Sequence, residues 1–156
     1  YGNFGEQRNR GIEFSVDGEV AQGLRVIAGG SVISAKYHRS LVGFTGNKYP
    51  GVPDLLLNAN VEWDLPFVPG LTLVGRGTYT GDQAANDANT LELPSWTRFD
   101  VGARVVTAVA DKALTLRFNV DNVANKRYWA SAFQVFNPDL LQGAPRTFKA
   151  SASIEF

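Results

Sequence analysis

Cysteine is absent from this 156-residue chain, which excludes both a disulfide framework and any thiolate metal site. Histidine is almost absent too. His38 stands alone among scattered carboxylates, so no transition-metal site of recognisable composition can be assembled, and a loop histidine at the surface is the expectation. A surplus of charge is missing as well. Fifteen basic and fifteen acidic side chains cancel, which argues against a nucleic-acid partner. Long hydrophobic runs are lacking: Val105-Val106 and Leu55-Leu56-Leu57 fall far short of the roughly 20 residues of a membrane-spanning helix. The first residues have no basic stretch followed by an apolar one, so an export signal is expected to lie outside this chain. Finally, no nucleophile, base and orienting group stand together. Ser40 near His38 is too little for an outer-membrane protease or phospholipase, and the chain is read as no enzyme.

What is present points to strands. Sixteen glycines and 12% aromatics favour twisted, closely approaching β-structure with aromatic anchors. Alternation with period two recurs along the chain, the mark of strands with two different faces. From Arg146 to Phe156 one face reads Phe148, Ala150, Ala152, Ile154, Phe156 and the other Thr147, Lys149, Ser151, Ser153, Glu155. The same holds around Phe99, Val101, Ala103 and Val105, around Leu114, Leu116, Phe118 and Val120, and around Ile12, Phe14 and Val16. It holds again for Leu55, Leu57, Ala59, Val61 and Trp63, where only Leu56 breaks the rule. The glycine-rich segments 24–36 and 71–80 complete about seven strands of roughly nine to twelve residues, long for a globular protein and suited to a tilted membrane strand.

The connections alternate in length. Short ones are expected at Asp17 to Gly23, Pro66 to Gly70 and Thr107 to Lys112, and long polar ones at Tyr37 to Asp54, Gly81 to Ser95 and Asn122 to Pro145. Short and long links therefore sit on opposite rims, as in outer-membrane barrels. A soluble up-and-down barrel would give the same alternation with its apolar face inside. Three features favour lipid outside: the apolar faces carry no charge, aromatics (Trp63, Tyr79, Trp96, Phe156) gather near strand ends, and the opposite faces carry charges of both signs. The fold class is all-β, an antiparallel transmembrane β-barrel segment.

Five stretches carry a resemblance to a known family. Gly5-Glu6-Gln7-Arg8-Asn9-Arg10-Gly11-Ile12-Glu13 resembles a strand entry of the TonB-dependent ferric-siderophore receptors, and Gly46-Asn47-Lys48-Tyr49-Pro50-Gly51-Val52-Pro53 resembles their loop into a strand bearing Asn58 and Trp63. Gly70-Leu71-Thr72-Leu73 through Thr80-Gly81-Asp82, and Leu93-Pro94-Ser95-Trp96-Thr97-Arg98-Phe99-Asp100, are similar in order and spacing. Asn119-Val120-Asp121-Asn122-Val123-Ala124-Asn125-Lys126-Arg127-Tyr128 is similar to the family's Asn-Leu-Phe-Asp-Lys-x-Tyr segment, although Val123, Ala124 and Asn125 depart from the usual Leu, Phe and Asp. Gly143-Ala144-Pro145-Arg146-Thr147 opens a last strand.

The resemblance implies a barrel of about 22 strands around a plug. Residues 1–156 would be the C-terminal portion of that barrel, about its last seven strands, beginning inside a loop, with the plug and the TonB box elsewhere. The implied partners are a ferric siderophore, the TonB complex, outer-membrane lipid and the β-barrel assembly machinery, in the bacterial outer membrane. No cofactor is implied, since iron travels as a siderophore complex. Glu13, Asp17, Glu62, Asp64, Arg76, Arg98, Asp100, Arg104, Arg117 and Lys149 are expected to face the lumen, holding water, plug and one another, or forming a path for a charged ligand. The loop aromatics Tyr37, Phe44, Tyr49, Tyr128, Trp129, Phe133 and Phe136 are candidate ligand contacts, because apolar pockets with a few polar groups bind compact organic molecules. Phe156 is a candidate assembly signal or an interfacial anchor. A small structural or adhesive barrel without transport is the alternative, although a complete one should have an even number of strands.

Overall fold

The computed structural model describes residues 5–134 and 138–155, and among them every regular element is a strand. The strands are β1 (Gly5–Ala21), β2 (Leu24–Ser40), β3 (Leu55–Asp64), β4 (Leu71–Thr80), β5 (Gln83–Ala84), β6 (Glu92–Leu93), β7 (Trp96–Val109), β8 (Lys112–Asp121), β9 (Trp129–Gln134), β10 (Pro138–Gln142) and β11 (Thr147–Ile154). Seven of them form one sheet in the order β1-β2-β3-β4-β7-β8-β11, each antiparallel to its neighbours. The remaining four form two small hairpins, β5–β6 and β9–β10, inside the long connections.

Register explains the alternation. Directly opposed residues point to the same side, so one row can be followed across the sheet: Gly18, Val26, Val61, Gly75, Val101, Val120 and Phe148. The row beside it on the other face reads Arg25, Glu62, Val74, Gly102, Asn119 and Lys149. A one-residue slip would put charges into the apolar face, and the register keeps that face free of charge across the band of seven strands. That apolar face is open: Ile12 is 74% exposed and Phe148 65%. The apolar side chains that are buried, among the described residues, lie mostly in the long connections and at their roots, with Ala85, Leu93 and Ala132 forming one cluster. An exposed apolar face of this extent marks a surface that meets lipid or protein.

The tight links obey turn chemistry. Ala110 and Asp111 both have positive φ (50° and 62°) in the two-residue link between β7 and β8, the mirror-image turn whose twist matches the strands. Gly70 is required where β4 begins: its φ is +81°, and a Cβ there would stand 2.4 Å from the Val106 carbonyl oxygen.

Several expectations need correction. β1 and β2 are each 17 residues long, so the hairpin continues past the predicted strand ends through residues 5–11, 18–21 and 37–40, the link expected from Asp17 is only two residues long, and the link expected at Tyr37 begins after Ser40. Beyond the apolar band both faces are polar, so the hydrophobic period vanishes although the hydrogen-bond ladder does not. The link expected at Thr107 is shorter as well, with β7 reaching Val109. Two of the long connections contain hairpins rather than irregular chain throughout. Trp96, expected at the lipid boundary, is opposed by Thr80 and so lies on the polar face, 9% exposed. The expected beginning inside a loop, at residues 1–4, and the assignments to Phe136 and Phe156 lie outside the described residues.

In the membrane-embedded barrel that the alternation and the uncharged apolar face predict, Val101→Arg is expected to cost about 2–4 kcal/mol, because Val101 sits in the middle of the apolar band. Arg104→Ala should cost about 1 kcal/mol or less, since Arg25 still serves Asp64 at 3.1 Å and Glu62 at 3.5 Å. Denaturant titration of the full receptor in detergent, followed by heat-modifiable mobility, checks the order of the two costs.

Candidate functional site

The three long connections lie at one end of the sheet and are tied into one layer. Tyr37, near the end of β2, donates its hydroxyl to Asp87 Oδ1 at 2.5 Å, and its ring packs at 5.3 Å from Tyr49 and 6.4 Å from Phe44. Burial first, and then the bond to Asp87, push the phenol's pKa above its ordinary value. Asn47 Nδ2 donates to the Asp87 carbonyl at 2.8 Å. Asn89, held at φ 53°, accepts from Lys48 N at 2.7 Å and donates Nδ2 to Lys48 O at 2.9 Å, so it pairs with the neighbouring connection as a strand would. Lys48 Nζ meets Asp54 at 2.6 Å and Asp82 at 3.5 Å; the bond to Asp54 raises the lysine pKa most. Gly51 N donates to Ala84 O, and Gln83 Nε2 donates to Ala130 O at 3.4 Å, which brings in the third connection.

That third connection is organised by Asn122, which is 1% exposed and has φ 52°. Its Nδ2 donates to the carbonyls of Lys126 and Ala144, both at 2.9 Å, and its Oδ1 accepts from Lys126 N at 2.8 Å. Asn122 N donates to Asp100 Oδ1 at 2.7 Å, and the other Asp100 oxygen accepts from Arg98 at 3.0 Å. Arg98 reaches the Tyr128 hydroxyl at 3.5 Å, and the Tyr128 ring stacks on Trp96 with centroids 4.2 Å apart and planes 30° apart. A Cβ on Gly143 would lie 2.2 Å from that tyrosine ring, so only glycine lets Tyr128 take this position.

Beside the stack is a cavity of about 380 Å³ whose walls include Pro94, Trp96, Lys126, Arg127, Tyr128 and Trp129. Its chemistry is mainly aromatic with two cations, and Trp96 Nε1 is buried without a hydrogen-bond partner among the described residues. Such a cavity suits a compact organic ligand with acceptor or anionic groups. Among the described residues no group of three His, Cys, Asp or Glu side chains is placed to hold a metal ion.

The structure thus gathers Tyr37, Phe44 and Tyr49 into one cluster and puts Tyr128 and Trp129 at the cavity. Phe133, on β9, is 54% exposed and belongs to neither. Arg76, Arg98, Asp100, Arg104 and Arg117 share the polar face, as their register requires. Arg104 stands 3.6 Å from Glu62 and 4.0 Å from Asp64 and donates to Thr72 at 3.2 Å, while Arg76 lines a smaller cavity with Asp100, Asp121 and Lys149. Sequence reasoning missed Trp96 as a cavity residue, and it missed Asp87, Asn89 and Asn122 as organisers. Trp96 was detectable, because counting back in twos from Arg98 already puts it on the charged face.

Tyr37→Phe keeps the ring packing and removes the bond to Asp87, so it is expected to cost the tie about 1 kcal/mol. Faster hydrogen exchange at the Asn86 to Thr90 amides is the readout. Because the phenol's pKa is raised, its contribution is full below the ordinary tyrosine range and is lost as pH rises through the raised value. Gly143→Ala is expected to displace Tyr128 from Trp96, which a change in tryptophan emission would report.

Comparison with known proteins agrees with this geometry. The family model for the TonB dependent receptor-like β-barrel matches residues 1–123. The ferrichrome receptor FcuA of Yersinia enterocolitica is 42% identical over 157 aligned positions, covering 100% of this chain and 21% of the relative. The ferrioxamine receptor of the same organism is 27% identical over 155 positions, with 97% and 21% coverage. The crystal structure of BauA, the ferric preacinetobactin receptor of Acinetobacter baumannii, superposes with a TM-score of 0.87 at 38% identity, over 97% of this chain and 22% of that one. The chain therefore spans about a fifth of the length of the curated relatives it matches, and its open sheet is part of a barrel. On this evidence the chain belongs to the family of TonB-dependent receptor β-barrels.

Proposed function

We propose that this chain is the C-terminal barrel portion of an outer-membrane receptor for TonB-energised uptake of ferric siderophores. The observation that carries the reading is the combination, in a relative of a ferrichrome receptor, of an exposed sheet face with an uncharged apolar band and an aromatic cavity at the rim of the opposite face. In this reading the apolar face meets hydrocarbon and the polar face lines the lumen. The ion pairs of Arg25, Glu62, Asp64 and Arg104 then crosslink strands near the periplasmic turns, and the three interlocked connections form extracellular wall. Iron is cargo inside its chelate, so the protein supplies aromatic surface, the Trp96 indole N–H and the cations Lys126 and Arg127 rather than metal ligands. A plug, TonB, lipid and the assembly machinery are the partners that this reading requires. The alternative of a small complete barrel gains nothing from the sheet, whose outer strands β1 and β11 each pair on one side only among the described residues.

Expression of the full receptor in iron-starved cells lacking other siderophore receptors tests the proposal. Uptake of a labelled ferric siderophore should require both the receptor and TonB, and uptake that survives removal of either would overturn it. Trp96→Ala is expected to weaken chelate binding about tenfold, as loss of a stacked aromatic contact does, while outer-membrane levels stay unchanged. Deleting Phe156 separates its two roles. A recognition signal predicts that unassembled receptor accumulates in the periplasm while the same protein still refolds in detergent; an anchor predicts normal assembly with lower stability.

A further inference from the structure

The β1–β2 hairpin carries a group of cations that neither the sheet nor the cavity uses. On the apolar side of these two strands the rows run without charge from Ala21 and Leu24 at the turn up to Ile12 and Val32. The next row on that side is Arg10 opposite Ser34, and the one after is Arg8 opposite Lys36, with Lys36 bridged in turn to Lys48. At about 3.4 Å per residue, Arg10 lies about 7 Å beyond the last apolar row and the Arg8–Lys36 pair about 14 Å. Placing like charges directly opposite each other destabilises a sheet, so a row of three cations calls for an anion. Some of that need is met internally. Arg8 stands 3.7 Å from Glu6 and 2.6 Å from His38 Nε2, and Lys48 is held by Asp54 and Asp82. Arg10 and Lys36 have no side-chain partner among the described residues.

Those two residues face an open groove of about 610 Å³ with two chemically different ends. Ile12 and Val32 line it towards the apolar band. Arg10, Ser34, Lys36 and Lys48, with the Asp54 carboxylate that Lys48 already holds, line it away from the band. The geometry points to a binding site for a phosphate-bearing lipid of the outer leaflet, its acyl chains lying along Phe14, Ile12 and Val32 and its phosphate between Arg10 and Lys36. The position matters as much as the charge. A cation pair within about 7 to 14 Å of the last apolar row, on its outward side, stands at the depth of a headgroup and cannot reach a solute in the lumen. At the opposite end of the same two strands the band closes on Ala21 and Leu24 without charge, so the site belongs to one leaflet only.

This inference rests on the outer-membrane placement proposed above, and the test is built so that the two can fail separately. Full-length receptor, delipidated in detergent, is offered three probes: a diphosphorylated, acylated glucosamine disaccharide lipid, the same lipid without its phosphates, and inorganic phosphate. Native mass spectrometry reads the lipid retained. The wild type should hold the phosphorylated lipid about tenfold more tightly than the dephosphorylated one. The double variant Arg10→Gln with Lys36→Gln should lose that preference, and Lys112→Gln, which removes a cation from the opposite rim, should keep it. Excess salt should weaken the phosphorylated lipid alone, and millimolar inorganic phosphate should not displace it. Equal retention of both lipids by the wild type, a preference that survives in the double variant, or displacement by inorganic phosphate would each overturn the site. Both substituted residues are exposed, and heat-modifiable mobility verifies that the double variant folds. Ferric-siderophore binding by that variant should match the wild type, and its retention leaves the uptake reading standing whatever the lipid result.

Discussion

Backbone hydrogen bonding is the constraint on which everything else here depends. In hydrocarbon no water is available to satisfy a peptide N–H or C=O, so each strand must be met by another along its whole apolar length. Among the described strands the ladder from β1 to β11 meets that demand everywhere but at the outer edges of β1 and β11, and it forces the register that separates Val101 from Arg104 by side rather than by distance. Charge can then be placed freely on one face because pleating keeps it out of the other. The ion pairs among Arg25, Glu62, Asp64 and Arg104 follow from this arrangement and do not create it.

At the long-connection rim the constraint changes character. Outside the band water can satisfy any backbone, so order there has to come from side chains. Asn and Asp supply it: Asp87, Asn89 and Asn122 take the place of strand neighbours, two of the three asparagine and aspartate positions using left-handed backbone that suits short polar side chains. The only buried apolar cluster found among the described residues sits here as well, so the part of the chain with the least regular backbone has the most core-like packing.

How far the sequence could be read follows the same division. Within the band one rule governs every strand, and positions such as Phe99, Leu116 and Ile154 announce their side by parity alone. The rule fails where the solvent is the same on both sides of the sheet: Arg8, Asn9 and Arg10 continue β1, yet nothing in their polarity distinguishes strand from loop. Trp96 was misplaced because an aromatic at a strand end was read by type and not by parity. The contacts of Asp87 and Asn89 join residues about 40 to 50 positions apart through bonds with no periodic signal, and only the folded chain displays them. The Asn122 segment was visible as a motif, but its purpose, tying a connection back to Asp100, was not.

The interlocking of the three connections bears on how a barrel of this family can vary at its rim. A loop that stands alone can be exchanged between relatives like a cassette. Here the 41–54 segment is hydrogen-bonded to 83–90, and Gly51 approaches Ala132 so closely that its absent side chain would fall 2.0 Å from that carbonyl oxygen. Grafting any one of them from a homologue would leave donors and acceptors of the other two facing the wrong partners. The unit that can be exchanged without breaking these bonds is therefore the trio, and chimeras that respect its borders are the ones expected to keep an ordered rim.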